Sequence, residues 1–271
     1  MDRLFDLTGK VAVVTGGMGQ LGLHYSISMA ERGAKVVVLD IVDKPKLKLA
    51  SFDKLKQDGK IRCMIADITR KSELESVAET IEREWGRAEI LINNAALDFP
   101  PNAPKSEVGP FEEYPETSFD QVMTVNVKGT VLCCQVFGGH MAVTGGGSII
   151  NISSIYGILS PCQDIYEFKR RKGEVYFKPV AYSVSKSAII NLTRYLATYW
   201  AKKHVRVNTL TLAGVFNNQD REFIEAYCAR IPIGRMADPG DYIGPVVFLA
   251  SDASRYITGA NLVVDGGWSA W

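Results

Sequence analysis

Seven short runs rich in β-branched and other apolar residues punctuate the chain: Val11 to Thr15, Lys35 to Asp40, Ile61 to Ile65, Glu89 to Ile92, Ser148 to Ile152, Val205 to Leu210 and Leu262 to Val264. Between most of them lie longer stretches whose apolar residues recur every three to four positions, the spacing of one helix face. Strands joined through a helix lie parallel, and a parallel sheet has both faces covered, so its strands read as nearly unbroken apolar runs. The pattern predicts an α/β fold, a doubly wound parallel sheet with helices on both faces. No internal repeat, low-complexity tract or Pro/Gly/Ser linker divides the chain, so residues 1–271 read as one domain. Ligands of such sheets bind beyond the carboxyl ends of the strands. Functional residues are therefore expected just after strands.

The first such place is Thr15-Gly16-Gly17-Met18-Gly19-Gln20-Leu21-Gly22, which ends the first strand and opens a helical pattern through Ala30. Glycines at 17, 19 and 22 allow a tight turn and a close approach of backbone to a pyrophosphate, whose charge faces the helix N-terminus. The spacing alone is weak. Its context is complete, because Asp40 ends the second strand eighteen residues beyond Gly22. A carboxylate there accepts hydrogen bonds from the adenosine ribose hydroxyls and repels a 2′-phosphate. Ile41 and Val42 follow it, and the glycine loop holds no Arg or Lys. The reading is a Rossmann-type dinucleotide site that takes NAD in preference to NADP.

The second is Ala181-Tyr182-Ser183-Val184-Ser185-Lys186, at the head of a run to Lys203 that has no Gly or Pro and a helical apolar spacing. Positions four apart share a helix face, so Tyr182 and Lys186 point the same way. An ammonium beside a phenol favours the phenolate, and the expectation is a Tyr182 pKa lowered towards working pH, suited to general acid/base work. A Tyr-x-x-x-Lys pair in isolation is more often a surface tyrosine beside a solvated lysine. Its place after the other motifs is what gives it weight.

Composition excludes several classes of function. A net charge of +1, with 46% hydrophobic and 23% charged residues, is that of an ordinary globular protein, without the basic block or acidic tail of a nucleic-acid or membrane-surface binder. Met1 to Lys10 lacks a signal-peptide core, and no apolar run is long enough to span a bilayer, so a cytoplasmic protein is expected. The five cysteines do not form a metal or redox spacing and read as reduced. No metal site is expected.

Taken together, these motifs resemble those of the short-chain dehydrogenase/reductases in their compact single-domain branch. After the glycine loop and Asp40 come Asp67-Ile68 at the third strand's end and Asn93-Asn94-Ala95-Ala96 after the fourth, similar to the family's Asn-Asn-Ala-Gly. Asn126 in Thr124-Val125-Asn126-Val127-Lys128-Gly129, Ser154 in Ser153-Ser154, then Tyr182 and Lys186, follow the order of the family's catalytic tetrad. Val264-Asp265-Gly266-Gly267 looks like its C-terminal signature. The resemblance implies hydride transfer between a carbinol carbon and nicotinamide, with Tyr182 moving the hydroxyl proton and Ser154 holding the substrate oxygen. By the same resemblance, Lys186 grips the nicotinamide ribose and Asn126 interrupts its helix and anchors a water. The implied cofactor contacts are Gly16, Met18, Gly19, Gln20, Leu21, Asp40, Ile41, Asp67, Ile68, Asn93, Ala95, Tyr182, Lys186, Val215 and Asn217. A homotetramer, or a dimer, is the implied assembly.

Departures from the family pattern bear on the substrate. Gln20 stands where the branch has its middle glycine, and Leu212-Ala213 replace a Pro-Gly pair after the sixth strand. Two loops, near 97–117 and 160–179, are longer than usual. The first carries five prolines, which stiffen rather than fold it, and the second holds Lys169-Arg170-Arg171-Lys172. The expectation is a secondary alcohol and ketone pair on a sugar, sugar acid or similar polar molecule, with Arg170 and Arg171 capturing an anionic group. A weaker likeness joins the glycine spacing and the Trp-ended tail to dehydrogenases of surface-sugar and flagellin-modification pathways. The alternatives are an NAD-retaining sugar epimerase or dehydratase, and an NADP-dependent carbonyl reductase.

Overall fold

A computed structural model describes residues 2–271. The strands are β1 (Val11–Thr15), β2 (Lys35–Asp40), β3 (Ile61–Ile65), β4 (Ile90–Asn93), β5 (Gly147–Ser154), β6 (Val205–Leu212) and β7 (Asn261–Val264). They form one parallel sheet in the order β3-β2-β1-β4-β5-β6-β7. The chain thus builds outwards from β1 to one edge, returns to β4 and builds to the other. That reversal opens a crevice between the carboxyl ends of β1 and β4, the place where such sheets receive ligands. β5 and β6 run on to Ser154 and Leu212, two residues beyond the apolar runs read from sequence, because their last residues pair with each other (Ser153 with Thr211, Ser154 with Leu212).

The helices are α1 (Gln20–Glu31), α2 (Ala50–Gln57), α3 (Lys71–Trp85), α4 (residues 116–144), α5 (Glu167–Arg171), α6 (Val180–Trp200), α7 (Arg221–Cys228) and α8 (Ile243–Ala250). Alternation along each strand sorts its side chains onto two layers. Ala12, Val14, Val36 and Val38 pack with α1, α2 and α8 through Leu23, Met29, Phe52 and Leu249. Val11, Val13, Val37 and Leu39 face α3, α4 and α6 through Leu74, Ile81, Phe137 and Trp200. A third, smaller cluster, which includes Tyr156, Tyr166, Tyr227, Met236 and Trp268, lies beyond the ends of β5 and β6. It is contributed almost wholly by loops and short helices.

α4 is continuous but not regular: π turns at Thr124–Gly129 and Cys134–Gly138 interrupt it. The first carries Asn126. The two long loops are more ordered than their prolines suggest. Residues Lys105–Val108 and Phe111–Glu113 form 3₁₀ turns, Gln163–Tyr166 forms another, and α5 follows. The loops also join each other, Phe177 N donating to Val108 O at 2.7 Å. No helix among the described residues is long and apolar enough to cross a membrane.

Candidate active site

The glycine loop is shaped by close backbone approach. Gly16 has φ +61°, and a Cβ there would stand 2.7 Å from the Ala95 Cα; a Cβ on Gly22 would stand 2.3 Å from the Gly16 carbonyl oxygen. Side chains at these positions would collide with that backbone. Gly19 caps α1 without a side-chain hydrogen bond, so the amides of the first turn are left for an anion. Asp40 is held at the end of β2 by the amides of Met18 (2.9 Å), Ile41 (2.8 Å) and Val42 (3.3 Å). Ala66 N donates to Asp40 O at 2.9 Å, which sets Asp67 and Ile68 beside it. An open cradle, a helix N-terminus and a fixed carboxylate suit a dinucleotide: Gly16, Met18, Gly19 and Leu21 could hold a diphosphate, and Asp40, Ile41, Asp67 and Ile68 an adenosine.

Gln20 has a different use from the glycine it replaces. Its Nε2 donates to Phe216 O at 2.9 Å, tying the glycine loop to the segment after β6. Two other expected contacts are displaced. The Asn93 side chain is buried and donates to Asn151 Oδ1 (2.8 Å) and Cys134 Sγ (3.3 Å), within the layer under α4. Strand alternation turns it away from the cleft. The next residue, Asn94, lines the cleft instead and ties β4 to the glycine loop, its Nδ2 donating to Thr15 O and Gly16 O (3.0 and 3.1 Å). Asn217 is exposed and is not part of the cleft wall, whereas Asn218 and Gln219 are. Asn218 has φ +56°, and the turn it makes carries Asn217 outwards. Val215 lines the cleft and pairs with Ala237 in an isolated bridge.

The tetrad residues converge. Ser154, the last residue of β5, is buried, and its Oγ accepts from Tyr156 N at 3.2 Å. Tyr182 and Lys186 lie one turn apart on α6. Lys186 is 4% exposed, and its Nζ donates to Ile152 O at 2.9 Å, 5.7 Å from the centre of the Tyr182 ring. Asn126 spends its whole amide on structure: Oδ1 accepts from Leu97 N (2.7 Å), and Nδ2 donates to Leu97 O (2.8 Å) and Ser185 Oγ (2.9 Å). Its carbonyl accepts from Thr130 Oγ1 at 2.8 Å. Asn126 thereby clamps the loop after β4 to the start of α6.

The electrostatics differ from the sequence expectation. Burial raises the Tyr182 pKa, the charge of Asp98 adds to it, and the Ser154 hydroxyl opposes both. Burial also brings Lys186 down to about 8, against the pull of Asp98. Desolvation wins because the ammonium is bonded to a carbonyl below the ring rather than to the phenolic oxygen. Tyr182 therefore holds its proton at neutral pH.

These residues form the floor of a cavity of about 620 Å³. The inserted segment and α7 supply its outer wall, including Tyr166, Tyr176 and Phe223. The basic run behaves otherwise than expected. Arg170 is taken up by Glu167 (2.8 Å) and Gln163 O (3.2 Å), Lys172 pairs with Glu222 (2.9 Å), and Arg171 is exposed; of the four, only Lys169 lines the cavity. Arg170 and Arg171 are not at the site. Three charged residues that no motif marked are there instead, Asp98, Lys178 and Asp220.

A family model described as enoyl-(acyl carrier protein) reductase matches residues 16–269. The chain belongs to the short-chain dehydrogenase/reductase family. A NAD-dependent glycerol dehydrogenase of Listeria innocua is 31% identical over 99% of this chain and 97% of its own. A short-chain dehydrogenase of Leptospira borgpetersenii, solved with bound NAD+, is 32% identical, with a TM-score of 0.84 over 97% of this chain and 94% of that one. A gluconate 5-dehydrogenase of Burkholderia cenocepacia, in complex with NADP and tartrate, is 25% identical, also with a TM-score of 0.84, over 99% and 98%. As a member of this family the protein is an oxidoreductase acting on CH–OH donors.

Proposed function

We propose that the protein interconverts a secondary alcohol and a ketone on a polyol or sugar-like substrate, with NAD(H) as its cofactor. The observation that carries this reading is the convergence of Ser154, Tyr182 and Lys186 on one cleft, which runs on through Leu21 and Asn94 to the glycine crevice. When bound, a nicotinamide cofactor would supply the acceptor or donor of the hydride. Tyr182 Oη receives the hydroxyl proton in oxidation and gives it up in reduction. Because its pKa is raised, it stands loaded as the acid for reduction, and oxidation gains from alkaline pH. Ser154 Oγ holds the substrate oxygen and stabilises charge that develops on it. Lys186 keeps a cation beside the Tyr182 ring and would hold the nicotinamide ribose, while Asn126 positions Leu97 and the head of α6. Ala95 and Val215 would hold the nicotinamide end.

NAD is favoured because the Asp40 carboxylate, pinned at the end of β2 next to the exposed apolar Ile41 and Val42, would accept from ribose hydroxyls and repel a 2′-phosphate. One observation favours NADP as the second reading: Lys46 N donates to Met18 O at 2.8 Å, so a lysine-bearing segment adjoins the glycine loop. Glycerol and gluconate dehydrogenases among the relatives support a hydroxylated substrate. They also favour net dehydrogenation over an epimerase or dehydratase that keeps its cofactor. The test is a panel of polyols and aldonates with NAD or NADP, read by absorbance of the reduced cofactor. Net NADH formation is expected, and product without net NADH would establish the rival.

We further propose that the protein is cytoplasmic and acts as a homotetramer. The outward side of α6 presents Tyr195 and Tyr199, both 63% exposed and stacked at 6.0 Å, an apolar surface suited to a symmetric contact. Light scattering at micromolar concentration should return four times the chain mass.

A further inference from the structure

The two inserted loops meet at one ion pair inside the cavity. Asp98 follows β4, and Lys178 ends the segment before α6, eighty positions away. Lys178 Nζ lies 2.5 Å from each carboxylate oxygen of Asp98. The Lys178 side chain is only 9% exposed, while that of Asp98 is 46% exposed. The ammonium sits over the ring of Tyr182 at 5.2 Å and near that of Tyr156 at 6.0 Å. Lys178 N donates to Gln163 Oε1 at 2.9 Å, which holds its backbone to the insertion. A charge pair in this position faces the substrate that Tyr182 acts on.

The other cations of the cavity are also committed. Lys186 is bonded to Ile152 O, and Lys169 lies 4.4 Å from the centre of the Tyr176 ring and 4.0 Å from Glu174. A substrate carboxylate would enter beside Asp98 without a free ammonium to meet it, and Asp220 adds a second acid to the lining. Hydroxyl groups suit the pair better. A carboxylate bridged by one ammonium keeps lone pairs for further donors, and the ammonium keeps a third hydrogen.

We propose that the Asp98–Lys178 pair is the specificity element of this active site, selecting neutral polyhydroxylated alcohols over the corresponding sugar acids. The assignment rests on the oxidoreductase reading above and names its substrate class. Asp98 accepts from substrate hydroxyls, and its charge keeps Lys178 from serving as a carboxylate receptor. Neutralising one partner exposes the other, and the two partners have opposite preferences.

The test measures kcat/KM for polyols of three to six carbons and for the matching aldonates, in the wild type, Asp98→Asn, Lys178→Gln and the double variant. The wild type should prefer the polyols. Asp98→Asn frees Lys178 and should shift the polyol-to-aldonate ratio towards the aldonate by about tenfold, chiefly through KM. Lys178→Gln leaves Asp98 bare and should shift the ratio the other way, while the double variant returns it towards the wild-type value. Lys178→Arg, which keeps the charge, should hold the ratio even if a neutralised variant folds poorly. A wild type that prefers aldonates, or single variants that move the ratio the same way or not at all, would overturn the assignment alone. A wild type that oxidises neither class with either cofactor would overturn the oxidoreductase reading and this one with it.

Discussion

The crevice between β1 and β4 and the wall built by the two inserted loops line the same cleft by different means. The crevice is made of backbone: glycines where an added Cβ would collide with neighbouring backbone, amides at a helix start, and a carboxylate pinned by the amides of Met18, Ile41 and Val42. The wall is made of side chains that meet only in the folded chain, such as Asp98 with Lys178 and Tyr166 tilted against Tyr176 with ring centres 4.6 Å apart. The first arrangement has no room for change. The second can change partners while the sheet stays as it is, which is how one scaffold serves many substrates.

This contrast is sharpest at the chemical centre that both regions share. Tyr182→Phe removes the proton carrier and leaves the ring, so kcat should fall by about a thousandfold or more with the melting temperature unchanged. Retained activity would remove Tyr182 from the mechanism. Within the crevice, Gly22→Ala would drive a methyl group into the Gly16 carbonyl, 2.3 Å from the ideal Cβ position. Cofactor affinity, measured by quenching of protein fluorescence, should weaken by about a hundredfold, since neither the carbonyl nor the helix can yield cheaply.

At the adenosine end, Asp40→Ala with Ile41→Arg removes the carboxylate and adds a fork for a 2′-phosphate. The preference should move from NAD towards NADP by about tenfold or more in kcat/KM. Equal use of both cofactors by the unmodified protein would overturn the NAD assignment. Lys186 separates function from stability. Its folded pKa, about 8, lies below the ordinary 10.5, so the unfolded chain binds the extra proton between those values. The cost of burying the ammonium is full below pH 8 and fades as pH rises towards 10.5. Lys186→Met should therefore lose activity yet gain about 2 to 3 kcal/mol of stability at pH 7, read by denaturant titration, and the gain should shrink at alkaline pH. The smallest effect is expected outside the cavity. Arg170→Gln with Arg171→Gln should change the ratio of polyol to aldonate turnover by less than about twofold, because neither arginine faces the substrate.

Much of the crevice was legible along the chain because its parts are local. β1, β2 and β3 begin and end where their apolar runs do, and the glycine spacing, Asp40 and the Tyr182–Lys186 turn need only neighbours a few residues away. Resemblance of ordered motifs added Asn126 and Ser154. Errors began where side-chain direction mattered. Asn93 was expected in the cleft, and Asn94 occupies it, since one step along a strand reverses the face. Asn217 yields to Asn218 and Gln219 because a left-handed residue turns the loop. Lys169 to Lys172 reads as one basic patch, yet each of its charges has its own surroundings once α5 is wound and α7 lies beside it.

By itself, then, the sequence determined the parallel sheet and, on the reading proposed above, pointed to the carboxyl end of that sheet and to the Tyr182–Lys186 pair. These follow from periodicity and from spacing within single elements. The tertiary structure alone decided the protonation of that pair and the charge the substrate meets. Burial is a property of the assembled fold, and it moves Tyr182 opposite to the direction that a nearby lysine would suggest. Asp98 and Lys178 are far apart in the chain and carry no motif; only the closure of two loops over the carboxyl end of the sheet makes them a pair.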